Sequence, residues 1–394
     1  MTMSVLMPTY ARIDIAFEKG EGPYLFTGEG RRYLDFAAGI AVNALGHAHP
    51  KLVAALKSQA ERLWHVSNLY QIPEQQRLAE RLVANCFADT VFFCNSGAEA
   101  VECGIKLCRA YHNVNGNPER HRVITAEGAF HGRTLATLAA GRQEKHLAGF
   151  APMVEGFDQV PFGDADAMAA AVGPETAAIL VEPVQGESGI KPVPAGYLAR
   201  LRQIADASGI LLFFDEVQCG LGRTGKLFAH QWEGVAPDVM ALAKALGGGF
   251  PIGACLASET AAAGMQPGSH GSTFGGNPLA VAVGNAVLNV ILEEGFLESV
   301  ARHAGGLRQR LEGLVDRHPE VVEEVRGEGL MLGLKVKPTN LDVVTALREA
   351  GLLTVPAGEN VVRLLPPLNI ESAQIDEAVG IIEQVCAELT ESGD

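Results

Sequence analysis

The sequence predicts an α/β fold, with a mainly parallel central sheet in a large domain and a smaller α+β domain at the C-terminal end. Two patterns carry this prediction. From residue 89 onward, short apolar runs ending in polar residues alternate with segments of helical spacing. Strands buried on both faces and linked by helices form parallel sheets. From about residue 276 the rhythm changes to long helical stretches interleaved with short strand-like runs, as in a separate α+β unit. The length, 394 residues, suits two or three domains.

In chain order, residues 23–36 (PYLFTGEGRRYLDF) alternate around a Gly-Glu-Gly turn and predict a hairpin. Helices are expected over 50–64 and 73–87. DTVFFCN (89–95) reads as a strand stopped by NSG, and 97–112 has helical spacing through Ala98, Val101, Ile105 and Leu107. RVITAE (122–127), AAILVEP (177–183), ILLFFDE (210–216) and DVMALAK (238–244) read as further strands. Helices follow over 276–294 and 295–317, then VVEEVR, LMLGLKV, a helix near 340–350, VVRLL and a last helix over 371–388. The expected division is an N-terminal segment 1–50 packing with the small domain, a large domain 51–280 and a small domain 281–394.

Composition narrows the function classes. The formal net charge is -15, and such a surface repels phosphate backbones, so no nucleic-acid partner is expected. Seven cysteines are scattered without a C-x-x-C pair, which suits reduced thiols in a cytoplasmic protein. The N-terminus lacks the apolar core of a signal peptide, and no apolar run approaches the ~20 residues of a membrane span. No membrane association is expected.

In an open α/β sheet, ligands bind beyond the carboxyl ends of the strands. The polar residues there are Asn95 and Ser96, Glu127, Glu182, Asp215 and Glu216, and Lys244. A lysine after a buried strand reaches solvent, or else is paired, deprotonated or covalently bound. The glycines 247–249 behind Lys244 permit close backbone approach. Asp215 caps an apolar strand, where a carboxylate wants a cation such as a protonated pyridine nitrogen. Ser96 before Gly97 and Ala98 reads as an N-cap, with free N–H groups that could take an anion. Phe130 could stack on a flat ring, Arg133 could grip a carboxylate, and His131 is a structural residue or a further cofactor contact. Arg363, flanked by apolar residues, wants a carboxylate, which Glu182 or Glu187 in EPVQGE could modulate. GLGRTGK (220–226) nearly matches a nucleotide-binding loop, but Leu227 stands where a hydroxyl is needed. His47 and His49 lack a ligand cluster nearby, so no metal is expected.

With these residues in hand, the chain resembles the class III (subgroup II) aminotransferases of the pyridoxal 5'-phosphate (PLP) fold-type I superfamily, in particular their acetylornithine-type branch. The likeness runs from YLDFAAGIAVNALGHAHP to VVRLLPPLNI, with NSGAEA, FHGRT, EPVQGE, FDEVQCGLGRTG, LAKALGGGFPIGA and GSTFGGNP in family order. The resemblance implies that Lys244 carries PLP as a Schiff base and shuttles a proton, and that Asp215 pairs with the pyridine nitrogen. It implies that Val217 and Phe130 pack on the ring, that Gln218 contacts its hydroxyl, and that Gly97 and Ala98 bind phosphate with Ser96 nearby. Thr273 would reach the phosphate of a neighbouring subunit and Ser272 the substrate, in a homodimer with shared sites. Arg133 would hold the carboxylate of N-acetylornithine, Arg363 that of 2-oxoglutarate or glutamate, and Glu187 would gate Arg363. The implied reaction moves the ω-amino group of N-acetylornithine to 2-oxoglutarate, with succinylornithine, succinyl-diaminopimelate, ornithine or 4-aminobutyrate as alternative donors. Two departures stand out: Val101 replaces the family's usual Asn, and Ile40 sits where ornithine aminotransferases tend to carry Tyr, which favours an acylated donor. Cys219 is given no role.

Overall fold

The computed structural model describes residues 5–391; residues 1–4 and 392–394, which the expected domain ranges include, lie outside the described residues. A seven-stranded sheet forms the centre, in the order 90–94, 253–257, 239–242, 211–215, 176–181, 122–126, 157–160. Strands 239–242 through 157–160 run parallel to one another, and Gly253–Ala257 runs antiparallel to both its neighbours. Alternation along Leu211–Asp215 shows how the layers arise. Leu211 and Phe213 pack with the helix Gly97–Val114, whereas Leu212 and Phe214 pack with the helix Tyr197–Ser208. This strand therefore buries both faces, which explains its unbroken apolar run.

Two strands of this sheet were not anticipated. Gly253–Ala257 reads GACLA, and Gly and Ala are weak strand formers; complete burial between two partners compensates. Phe157–Val160 is an edge strand whose two central residues, Asp158 and Gln159, are polar. The run 238–244 also ends sooner than expected. Its strand stops at Leu242, and Lys244 opens a 3-10 turn with a left-handed φ of 43°. A lysine held there costs about 1–3 kcal/mol of backbone strain, which the surrounding packing must offset.

The helices Pro50–Ala60 and Pro73–Val83 are shorter than expected, and each starts with Pro at its first turn. Both pack against Pro278–Ile291, which is buried along most of its length. The C-terminal part is a four-stranded antiparallel sheet, in the order 322–328, 331–336, 361–364, 355–357, with helices Phe296–Arg317, Asn340–Glu349 and Ser372–Glu391. The expected hairpin pairs Tyr24–Thr27 with Arg32–Asp35, and Leu352–Leu353 adds to its edge in parallel. Among the described residues, no single helix is long and apolar enough to cross a membrane.

Candidate active site

A cavity of about 420 Å3 opens at the carboxyl ends of the central strands, where sequence placed the site. Asn95, Ser96, Glu182, Asp215 and Lys244 line it together. Glu127 and Glu216 do not. Glu127 is exposed, and Glu216, one residue beyond Asp215, points the other way and accepts the N–H groups of Ala229 and His230. The sequence brought all of these to one edge; the pleat decides which of them face the cavity.

On the cavity floor, Lys244 is half-buried, and its removal from bulk water is the main reason its ammonium is less stable than an ordinary lysine's. The amine is thereby favoured as a nucleophile and proton carrier. Asp215 is buried beside it, with one carboxylate oxygen accepting the N–H of Val217 (3.0 Å) and the other at 2.8 Å from Nδ1 of His131. Burial disfavours charge on His131, yet the bond to Asp215 and the charges of Asp215 and Glu182 outweigh it and raise its affinity for a proton. His131 is thus the orienting partner of Asp215. Its place in sequence, 84 residues away, gave no sign of this pairing.

The helix Gly97–Val114 points its N-terminus into the cavity. Ser96 is the expected N-cap and accepts the N–H of Glu99 at 3.2 Å. The N–H groups of Gly97 and Ala98 have no carbonyl within their own helix to bond and are free for an anion. Gly97 is needed here, because a Cβ would lie 2.8 Å from a methyl of Val217. Phe130, Val217 and Gln218 complete the wall.

The two arginines differ. Arg133 lines the cavity mouth, exposed, with its guanidinium 5.7 Å from the Phe130 ring centre. Arg363 is buried on the strand Val361–Leu364 behind Gln218, and it grips Glu187 through both terminal nitrogens, at 2.5 and 3.2 Å. Burial pushes the Glu187 carboxyl up, but the Arg363 charge and hydrogen bond, with Lys244 and Lys145, bring it below its ordinary value. Of the two glutamates offered for Arg363, Glu187 is the partner. Glu182 is not, because it is turned toward the N–H groups of Phe130 and Gly186.

Ser272 and Thr273 lie off the cavity wall. The Ser272 hydroxyl accepts the Gly275 N–H and contacts Asn95, and Thr273 is exposed. The 220–226 loop is no phosphate cradle, since Arg223 is fully buried in it and donates to the carbonyls of Leu330 and Pro366. His47 bonds Asp35 at 2.8 Å, in a turn.

A half-buried amine of weakened basicity, a buried carboxylate held by an imidazole and an open helix N-terminus fit a flat, phosphorylated pyridine aldehyde such as PLP. Each polar feature of that cofactor finds a group of the right sign.

Comparison with known proteins agrees. The family profile described as aminotransferase class-III matches residues 6–386. The chain is 65% identical over 382 residues to an acetylornithine aminotransferase of Mesorhizobium japonicum, covering 97% of this chain and 96% of that one. It is 59% identical to one from Agrobacterium fabrum, over 98% of this chain and 96% of the relative. Among solved structures, the ornithine aminotransferase of Toxoplasma gondii ME49 superposes with a TM-score of 0.95 at 32% identity, covering 98% and 94% of the two chains. The N-acetylornithine aminotransferase of Stenotrophomonas maltophilia K279a superposes at 0.85 and 37% identity, covering 97% and 98%. A further Toxoplasma ornithine aminotransferase structure has PLP at partial occupancy in its active site. Motifs, fold, site and relatives converge: the chain belongs to the class-III aminotransferase family.

Proposed function

We propose that this enzyme transfers the ω-amino group of N2-acetyl-L-ornithine to 2-oxoglutarate, using PLP and yielding N-acetyl-L-glutamate 5-semialdehyde and L-glutamate, a step of arginine biosynthesis. The carrying observation is the Arg363–Glu187 pair next to Lys244. One site must accept a donor whose reacting end bears no carboxylate and an acceptor whose reacting end bears one. An arginine masked by an internal carboxylate serves both. The acyl donor is supported by the name of the 65% identical relative.

The residues divide the work as follows. The N–H groups of Gly97 and Ala98 hold the cofactor phosphate, Asp215 holds the ring nitrogen in its protonated form, and His131 keeps Asp215 aimed. When bound, PLP supplies the carbonyl that takes up nitrogen and the ring that draws electrons from the substrate carbon. Lys244 moves the proton at that carbon. Arg133 holds the donor's α-carboxylate at the mouth while Glu187 keeps Arg363 neutralised. The acceptor's α-carboxylate then displaces Glu187 from Arg363, exchanging one bidentate pair for another.

The site is completed in a homodimer. Thr273 and Phe274 stand exposed on a loop that Asn68 ties to the exposed Leu69 and Tyr70. Burial against a second copy covers this apolar surface and brings the Thr273 hydroxyl to the neighbour's phosphate. Free cysteines, six of them buried, suit the cytoplasm.

A second reading, free ornithine as donor, is favoured by the 0.95 superposition on the Toxoplasma enzyme. A donor panel decides. Glutamate formation from 2-oxoglutarate is measured with N-acetylornithine, N-succinylornithine, ornithine, N-succinyl-diaminopimelate and 4-aminobutyrate, and the first should dominate. Borohydride reduction and peptide mapping should place a pyridoxyl label on Lys244; a label elsewhere overturns the cofactor assignment.

A further inference from the structure

Glu182 follows the strand Thr176–Val181 directly and is buried. One carboxylate oxygen accepts the N–H of Phe130 at 2.9 Å and the other that of Gly186 at 3.3 Å. These donors belong to two different turns. Phe130 opens the turn that ends in Arg133, and Gly186 immediately precedes Glu187. A single side chain thus joins the turn that recognises one substrate carboxylate to the turn that masks the arginine for the other.

Stability alone does not account for a carboxylate here. Burial raises its pKa to about 7, against the pull of His131 and with the Asp215 charge adding to the rise. A buried charge whose hydrogen bonds come only from neutral N–H groups is a poor source of stability. Its chemistry nonetheless suits the task, because an ionised carboxylate accepts at both oxygens, whereas an amide would turn an NH2 toward one of the two N–H groups. The Gly186 turn is also pressed against its surroundings, since a Cβ on Gly186 would overlap the Gln218 amide.

We propose that Glu182 is a positioning residue that couples the two carboxylate-recognition turns. It aims the Arg133 turn at the donor and, through Gly186, holds Glu187 closed on Arg363. This rests on the two-substrate transaminase reading above. Loss of the double anchor impairs donor binding and loosens the mask on Arg363, so the two half-reactions move in opposite directions. A merely structural defect would lower both.

The test uses holoenzyme in single turnovers, with N-acetylornithine and with glutamate, for wild type, E182Q, E187A and E182Q/E187A. In E182Q the donor KM should rise about tenfold, the scale of one lost charge-assisted hydrogen bond, while kcat/KM for glutamate rises. In the E187A background, E182Q should give no further rise with glutamate, because the mask is already gone. If E182Q does not fold, E182D serves: it keeps the charge but is one methylene too short to span both N–H groups. A fall in both half-reactions, or a glutamate rise that persists without Glu187, overturns the coupling. A wild type that transaminates neither substrate overturns the functional reading instead.

Discussion

Arg363 and Arg133 bring the same guanidinium to opposite surroundings. Arg363 is sealed behind Gln218 and bonded twice to Glu187; Arg133 lies exposed over Phe130 and has no carboxylate partner among the described residues. A buried guanidinium needs an anion at all times, so Arg363 can only trade one carboxylate for another. An exposed one is satisfied by water and can wait empty. On the proposed reading, the difference lets one pocket serve two substrates: the sealed arginine would be switched, and the open one always available.

Substitutions sharpen this contrast. The largest effect is expected from Arg363→Ala, which strands Glu187 and removes the proposed anchor of the acceptor. The 2-oxoglutarate half-reaction should lose roughly 100- to 1,000-fold in kcat/KM, and stability about 3 kcal/mol by denaturant unfolding, near the low end for a buried pair because Glu187 keeps some exposure. Arg133→Ala should cost the donor half-reaction roughly 10- to 100-fold, yet shift stability by less than about 0.5 kcal/mol. Equal stability losses in the two variants would break the comparison. Glu187→Ala should be milder, raising kcat/KM for glutamate roughly three- to tenfold while the donor still reacts.

The smallest effect concerns pH. Glu182 is raised to about 7 in the fold from an ordinary 4.5, so it disfavours folding increasingly as pH climbs from 4.5 through 7. His131, also raised, contributes stability that is full below its ordinary 6.5 and lost as pH rises through its folded value. Both act in one direction, but His49, His112, His146, His270 and His303, whose proton affinity is lowered chiefly by burial, act in the other, so the effect is read by difference: the melting temperature of Glu182→Gln relative to wild type should rise by a few degrees, roughly, between pH 5 and 8. Glutamine does not titrate, so a difference between Glu182→Gln and wild type that fails to grow over this range contradicts the account.

How far sequence could reach follows from which forces act locally. The strands ending at Cys94, Val181 and Asp215 were legible because burial on both faces leaves an apolar run, and Ser96 because an N-cap is a local device. Gly253–Ala257 was hidden because its strand identity comes from two neighbours distant in sequence, not from its own residues. The same holds within the site. Lys244 and Asp215 stood out by position, but the separate duties of Glu182 and Glu187 depend on where Phe130 and Arg363 arrive in space. Glu216 was misplaced for the plainest reason, that adjacent residues on a strand face opposite sides.

The strand that carries Arg363 has a bearing on biosynthesis of the chain itself. It is laid between Met331–Val336 and Val355–Ala357, so it can form only after synthesis has passed residue 364. A ribosome will have released the lysine-bearing portion well before the arginine emerges. Truncated products ending before residue 361 would therefore lack both the partner of Glu187 and the Leu364, Leu368 and Ile370 side chains of the main apolar core.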